Sequence, residues 1–362
     1  MAKKLENNNH DTKEIEVWYD NEFKIFEILA TKITSLIKEI IEYKDIKYHS
    51  ITHRIKDKSS LLNKIKSKKY EDPISQIHDY IGIRIVTFVK SDVEKVCKEI
   101  EGLFEIDTEN SSNKSEELGE DKVGYRSIHY VAKIDDKRAK MPEYAHLKDK
   151  CFEIQVRTIL EHAWADISHD RTYKFNKILP EKNDIRRRFA LASASLEMVD
   201  REFDRLSKEI EEYSFEVSEE TEKGNLEYLI DSTSLLIYLK EKFKDEIDKK
   251  MISPSFNDKD EIIIEELNNL GIHRLEQLEE KIDDLFKQKY LGYVKYLNEN
   301  NHIPNFLGIL RHFMVINYGD LYFEKSWGDG KWGGMKHQDA LKLFEIYPDV
   351  EKVMDDSPIS FY

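Results

Sequence analysis

The sequence predicts an α/β sheet domain followed by a mainly α-helical half. Three observations predict it. Strand-like and helix-like apolar periods alternate between Lys47 and His169, as they do when helices cover a sheet. From Asn225 onward the apolar spacing is helical. Three strings of strand character also carry polar and charged groups: His78-Asp79-Tyr80-Ile81-Gly82-Ile83-Arg84-Ile85, Gly124-Tyr125-Arg126-Ser127-Ile128-His129-Tyr130, and Phe152-Glu153-Ile154-Gln155-Val156-Arg157-Thr158. A carboxylate or guanidinium among β-branched neighbours must find a partner. Three such strands point to one highly charged ligand, such as a metal–polyphosphate.

The elements follow in order. Ile15, Trp18, Phe23, Phe26, Leu29, Ile33, Leu36, Ile37 and Ile40 recur at helical spacing within Glu14 to Tyr43, giving one long helix or two. Lys47 to Ile55 alternates with the strand period. Lys58 to Tyr70 is helical until Pro73 breaks it. Ile81 to Val89 reads as a buried strand, and Asp92 to Phe104 as a helix with Ser91 as N-cap. Asn110 to Val123, rich in Ser, Asn, Glu and Asp, reads as a mobile loop. Strands at Ser127 to Ile134 and Cys151 to Arg157 precede a helix from Thr158 to about His169. A long helix spans about Asp184 to Tyr213. The C-terminal half is helical to about Met251 and turns at Pro254. It then forms a helix–turn–helix over Glu261 to Leu270 and Arg274 to Phe286, with Gly271 suited to a left-handed C-cap. The expected organisation is an N-terminal helical segment (1–43), a sheet domain (44–180), a connecting helix (181–224) and a mainly α C-terminal domain (225–362).

The chain has 362 residues and a formal net charge of −15, which excludes a general nucleic-acid binder. The charge is uneven: Lys44 to Tyr70 holds nine cationic residues against Asp45 and Asp57. That suits a confined anionic ligand, or simply a solvated helix face. Cys97 and Cys151 form no C-x-x-C pair, which argues against a disulfide framework or Cys-based zinc and for a reducing compartment. Met1 to His10 has no apolar core and reads as no signal peptide. No apolar run approaches the roughly 20 residues of a membrane span. The expectation is a soluble cytoplasmic protein with no membrane partner.

Strand geometry sorts the candidate site residues. Ile81, Ile83 and Ile85 share one face, and Gly82, Arg84 and Val86 the other. Glu153, Gln155 and Arg157 likewise oppose Ile154 and Val156. Asp79 with Glu153 offers oxygen ligands for Mg²⁺; the plain alternative is two salt bridges, Asp79–Arg84 and Glu153–Arg157. Tyr125, exposed by Gly124, can stack on a nucleobase or pack as an ordinary core tyrosine. Arg54 and Lys56 alternate with His53 and Ile55 and suit a base plane or phosphates. His162 and His169 are seven apart, not four, so they read as phosphate or packing contacts rather than zinc ligands. There is no P-loop, no G-x-G-x-x-G and no Ser nucleophile elbow.

His53-Arg54-Ile55-Lys56, Asp79 to Arg84, Gly124 to His129, and Glu153 to Thr158 continuing through His169, Tyr173 and Lys174 resemble the synthetase domain of the RelA/SpoT family, the makers of (p)ppGpp alarmones. The resemblance covers about Tyr43 to Lys174. It implies a nucleotidyltransferase-like mixed β-sheet flanked by helices. It also implies transfer of the β,γ-pyrophosphate of ATP to the 3′-hydroxyl of GTP or GDP, with AMP leaving. By position, Arg54 and Arg84 should sandwich adenine, and Lys56, Ser60 and Lys64 should line the ATP phosphates. Asp79 should bind Mg²⁺, and Glu153 should bind Mg²⁺ or accept the 3′-hydroxyl proton. Tyr125 should stack on the acceptor guanine, with His129, Gln155, Arg157 and His162 lining that pocket. Family members often assemble into symmetric oligomers.

Two departures sharpen the expectation. No His-Asp-x-x-Glu-Asp string is present and the N-terminal helices are short, so synthesis without hydrolysis is expected. The Asn110 to Val123 loop carries Glu116, Glu117, Glu120 and Asp121, which repel a phosphate-rich acceptor unless Lys114 and Lys122 turn inward. Toxic family members that pyrophosphorylate the 3′ end of tRNA, and members that use adenosine nucleotides, therefore stand as the alternative. In that reading the C-terminal domain is a built-in inhibitor. A non-catalytic nucleotide-sensing module is opposed by the intact Asp79 and Glu153. The C-terminal half resembles no family. Leu270 to Leu278 reads as a helix pair, and Trp327 to Gly334 as an aromatic turn or partner surface. Its acidic charge suits a regulatory or self-inhibiting domain.

Overall fold

The computed structural model describes residues 2–68, 70–113, 127–178, 183–326, 335–355, 357, 359, 361 and 362. They divide into two compact units, Met1–Lys208 and Glu209–Tyr362.

The first unit is built on a five-stranded mixed sheet in the order β1-β2-β5-β4-β3. Its strands are β1 (Ser50–Ile55), β2 (Ile81–Thr87), β3 (Phe104–Asn113), β4 (Ile128–Ile134) and β5 (Phe152–Thr158). Only the central β2–β5 pair is parallel; β1–β2, β4–β5 and β3–β4 are antiparallel. Helices flank the sheet: α1 (Ala2–Tyr43), α2 (Lys58–Ser67), α3 (Pro73–Gln76), α4 (Lys90–Leu103), α5 (Asp136–Ala139) and α6 (Ile159–Ile178), followed by α7 (Asn183–Glu222), which belongs to this unit as far as Lys208.

The alternation in β2 and β5 decides where the core lies. Ile81, Ile83, Ile85, Phe152, Ile154 and Val156 are fully buried. They share one core with Leu29, Ile33 and Ile37 of α1 and Val93, Val96 and Ile100 of α4. This leaves Gly82, Arg84, Glu153 and Gln155 on the opposite face, half-buried.

Some expected elements shift. The N-terminal segment is one helix, α1. The strand expected from Lys47 begins at Ser50, and β2 ends at Thr87 rather than Val89. Ser91 is not the cap of α4. That helix starts at Lys90 behind Val89, and the Ser91 amide donates to Asp204 Oδ1 of α7 at 2.6 Å. An outside carboxylate thus satisfies one of the first-turn amides that a cap would have served. The expected Asn110 to Val123 loop begins inside a strand, because β3 reaches Asn113 with its register shifted between Asp107 and Ser112. Residues 114–126, including Tyr125, and Trp327 to Gly334 lie outside the described residues.

The helix after β5 runs on to Ile178, past the expected end near His169, and Thr158-Ile159-Leu160-Glu161 forms a capping box at its start. Thr158 N donates to Glu161 Oε2 at 3.0 Å, and Glu161 N donates to Thr158 Oγ1 at 3.2 Å. The same hydroxyl donates to Asp200 Oδ2 of α7 at 2.9 Å, which ties both helices to the end of β5.

The second unit is helical: α8 (Ser232–Lys242), α9 (Lys244–Asp248), α10 (Asp260–Asn269), α11 (Leu275–Glu279), α12 (Asp284–Glu299), α13 (Phe306–Tyr318), α14 (Asp320–Lys325), α15 (His337–Ile346) and α16 (Asp349–Asp355). Gly271 takes φ +81° after α10. The single helix expected over Arg274 to Phe286 is split, because Asp283 caps α12 by accepting from Phe286 N at 2.7 Å. Arg311 is clamped through two nitrogens on Glu266, which also accepts from Tyr322 Oη at 2.9 Å. No helix among the described residues is long and apolar enough to cross a membrane.

The core of this unit carries a pH dependence. His312 Nδ1 lies 2.6 Å from Tyr290 Oη, and burial pushes its imidazole down to about 4. The unfolded chain takes up that proton near the ordinary value of about 6.5. The unfolded state therefore binds more protons, and stability falls as pH drops from about 6.5 towards 4. The loss should approach about 3 kcal/mol. In denaturant titrations at a series of pH values, His312→Gln should flatten this slope; an unchanged slope removes His312 as its source.

Candidate active site

The strand register assembles the site. In the β1–β2 ladder Arg54 pairs with Gly82 and Thr52 with Arg84. Across β2–β5, Gly82 pairs with Glu153 and Arg84 with Gln155; across β4–β5, His129 pairs with Gln155. Arg54, Arg84, Glu153, Gln155 and His129 therefore project from one face of four adjacent strands. The Arg54 side chain lies over Gly82, its Nε 3.6 Å from where a Cβ would stand, an ordinary contact distance.

Asp79 stands just before β2. Its Oδ2 accepts from Lys56 Nζ at 2.5 Å and Lys64 Nζ at 2.8 Å. Its Oδ1 is buried and has no hydrogen-bond partner among the described residues. Burial pushes the Asp79 carboxyl up, but the two ammonium groups outweigh it and hold the group below the usual carboxylate range. The local sequence explains the lysines. Lys56 follows β1 on the same face as Arg54, and its amide bonds Tyr80 O at 2.8 Å. Lys64 lies on α2, one turn from the buried Leu61 that anchors that helix. Ser60 sits in the exposed first turn of α2, its amide bonded to the N-cap Asp57 at 2.9 Å.

Glu153 is gripped from two sides. Its Oε1 lies 2.9 Å from His129 Nδ1, and its Oε2 accepts from Gln155 Nε2 at 3.0 Å. Burial pushes this carboxyl up; the His129 and Gln155 contacts outweigh that and the repulsion from Asp79, so it also lies below the usual range. The salt bridges weighed from sequence, Asp79–Arg84 and Glu153–Arg157, are not the partnerships found. Four or five residues along a strand span roughly 13–16 Å, whereas neighbouring strands and α2 bring Lys56, Lys64, His129 and Gln155 alongside.

Arg157 is buried at the end of β5. His162, one turn into α6, has Nδ1 3.5 Å from Asp166 Oδ1. Burial and then the Arg157 charge, with smaller effects from Arg84 and His49, lower its pKa. The structure thus gathers Arg84, Arg157 and His162 towards one end of the sheet, and Lys56, Lys64 and Asp79 towards the other end of β2. The side chains of His169, Tyr173 and Lys174, like all of Tyr125, fall outside the described residues.

Sequence reasoning missed Ser127. It is 2% exposed, and its Oγ lies 2.5 Å from His129 Nε2. The signal was present, since Ser127 and His129 are two apart on a strand and so share a face. It also missed the Thr158–Asp200 pair, whose second member lies 42 residues away.

Residues 53–178 match the model of a region found in RelA / SpoT proteins. The GTP pyrophosphokinase YjbM of Bacillus subtilis (strain 168) is 29% identical over 182 residues, which span 49% of this chain and 81% of that protein. The GTP pyrophosphokinase YwaC of the same organism is 29% identical over 187 residues, spanning 48% and 83%. Among solved structures, the small alarmone synthetase 1 from Bacillus subtilis aligns with a TM-score of 0.44 at 23% identity, over 54% of this chain and 99% of that one. A GTP pyrophosphokinase family protein from Streptococcus pneumoniae gives 0.43 at 22%, over 55% and 96%. Residues 53–178 of this chain are a RelA/SpoT domain, homologous to that of the two Bacillus pyrophosphokinases.

Proposed function

We propose that this chain is an ATP:GTP(GDP) 3′-pyrophosphotransferase that makes (p)ppGpp with Mg²⁺ and does not hydrolyse it. One observation carries the reading beyond family membership. Two half-buried acids held below the usual carboxylate range belong to one sheet, Asp79 beside Lys56 and Lys64 and Glu153 on the strand face that carries Arg54 and Arg84. Transfer of a phosphoryl-type group needs positioning and charge neutralisation more than a covalent nucleophile.

In this reading Arg54 and Arg84 hold the adenine, and Lys56, Lys64 and Ser60 follow the donor phosphates. Asp79 and Glu153 fit a magnesium ion, since the buried, partnerless Asp79 Oδ1 is the hard oxygen ligand that this ion takes. Bound there, the ion would neutralise charge on the donor phosphates. His129, Gln155, Arg157, His162 and Tyr125 receive the acceptor nucleotide. The acceptor 3′-oxygen attacks the β-phosphorus of ATP, the bond from that phosphorus to the α-phosphate oxygen breaks, and AMP departs with that oxygen. Glu153, held ionised by His129 and Gln155, takes the hydroxyl proton.

The acceptor is tested by offering γ-labelled ATP with GDP, GTP, an adenosine nucleotide or deacylated tRNA. Label should appear on the guanosine nucleotides. Label confined to tRNA or to adenosine nucleotides overturns the acceptor assignment.

A further inference from the structure

A carboxylate accepts hydrogen bonds and cannot donate them. Because Glu153 Oε1 lies 2.9 Å from His129 Nδ1, that ring nitrogen must carry the proton. A neutral imidazole has only one N–H, so Nε2 is then an acceptor. The atom facing Nε2 is the Ser127 hydroxyl at 2.5 Å, and towards the neutral ring it is the donor. Ser127, His129 and Glu153 thus form a directed chain, closed at the far oxygen by Gln155 Nε2 at 3.0 Å. Ser127 is almost fully buried, so bulk water does not readily replace it in that bond.

We propose that Ser127 is a positioning residue of the transfer site, its hydroxyl donating to His129 Nε2 and so holding the imidazole with Nδ1–H on Glu153. The assignment rests on the proposed function above. It deepens that reading by naming what orients the acid that takes the acceptor proton. Without the hydroxyl the ring keeps one tether instead of two and turns more freely about its own axis. Glu153 then spends less time in the productive orientation. With its hydroxyl buried against His129 rather than offered to a ligand, Ser127 should affect kcat and leave the KM for ATP unchanged.

The test is nitrogen-15 NMR of histidine-labelled protein without metal or nucleotide, at alkaline pH where the ring is neutral. His129 is distinguished among the twelve histidines by comparison with His129→Gln. Wild type should show a protonated Nδ1 and an unprotonated Nε2, shifted by the hydrogen bond it accepts. In Ser127→Ala, Nε2 should move to the value of an unbonded nitrogen, and kcat should fall about threefold to tenfold, the worth of one neutral hydrogen bond. A protonated Nε2 in the wild type overturns the proposal without any variant. So does an Nε2 signal that Ser127→Ala leaves in place, or an unaltered kcat. Failure here and failure of the proposed function separate cleanly. A protein that transfers pyrophosphate with Nε2 protonated refutes only the Ser127 assignment. One that shows the predicted Nε2 shift but makes no pyrophosphorylated product refutes the function.

Discussion

Asp79→Asn should abolish pyrophosphoryl transfer while the fold survives. The amide is nearly isosteric, and Asp79 lies outside the apolar core of the sheet, so no packing is lost. What changes is charge. The buried Oδ1 loses the anionic character that suits it to a divalent cation, and Lys56 and Lys64 lose their shared counterion. Both lysines are largely shielded, at 17% and 26% side-chain exposure. Leaving their charges unbalanced should therefore cost stability, up to about 3 kcal/mol for groups still partly in contact with water. Loss of metal-assisted charge neutralisation is expected to lower kcat by about 10³-fold or more. Steady-state turnover with saturating Mg²⁺, read beside circular dichroism, checks both halves. Turnover within tenfold of wild type means that Asp79 is not the metal ligand.

Glu153→Gln should have an effect of similar size for a different reason. Glutamine keeps a hydrogen-bonding oxygen for one neighbour but cannot take a proton, and its NH₂ group opposes an existing N–H donor. General-base loss typically removes about 10²–10⁴-fold of the rate. Lys56, Lys64 and Arg54, which we propose face ATP, stand on other elements, so the KM for ATP should change little. A large rise in that KM with kcat preserved would falsify the base assignment and point to a donor-binding role.

The sheet was legible wherever burial writes a two-residue period. Ile81-Ile83-Ile85 and Phe152-Ile154-Val156 fill one core, and the residues between them could only face away. β3 was illegible because Glu105 to Asn113 is almost wholly polar, an edge strand whose only partner among the described residues is β4. The anchoring of α7 was hidden for another reason. Asp200 and Asp204 look like surface acids in a helix, yet they hold Thr158 and the Ser91 amide, contacts set by tertiary packing. Within the site, each polar residue on β2 and β5 could be assigned to a face from its own strand. Its partner could not be assigned. Asp79 meets Lys56 and Lys64 rather than Arg84, because the β1–β2 register and the seating of α2 bring those ammonium groups together. Ser127 went unnoticed because a serine carries no charge to balance.

The most direct measurement is the identity of the nucleotide released when ATP and GDP are turned over with Mg²⁺. Pyrophosphoryl transfer from an ATP oriented by Arg54, Lys56 and Lys64 predicts one AMP for each acceptor molecule that gains two phosphates at its 3′-oxygen. Release of ADP with a singly phosphorylated acceptor, or consumption of ATP with no change in the acceptor, would contradict it.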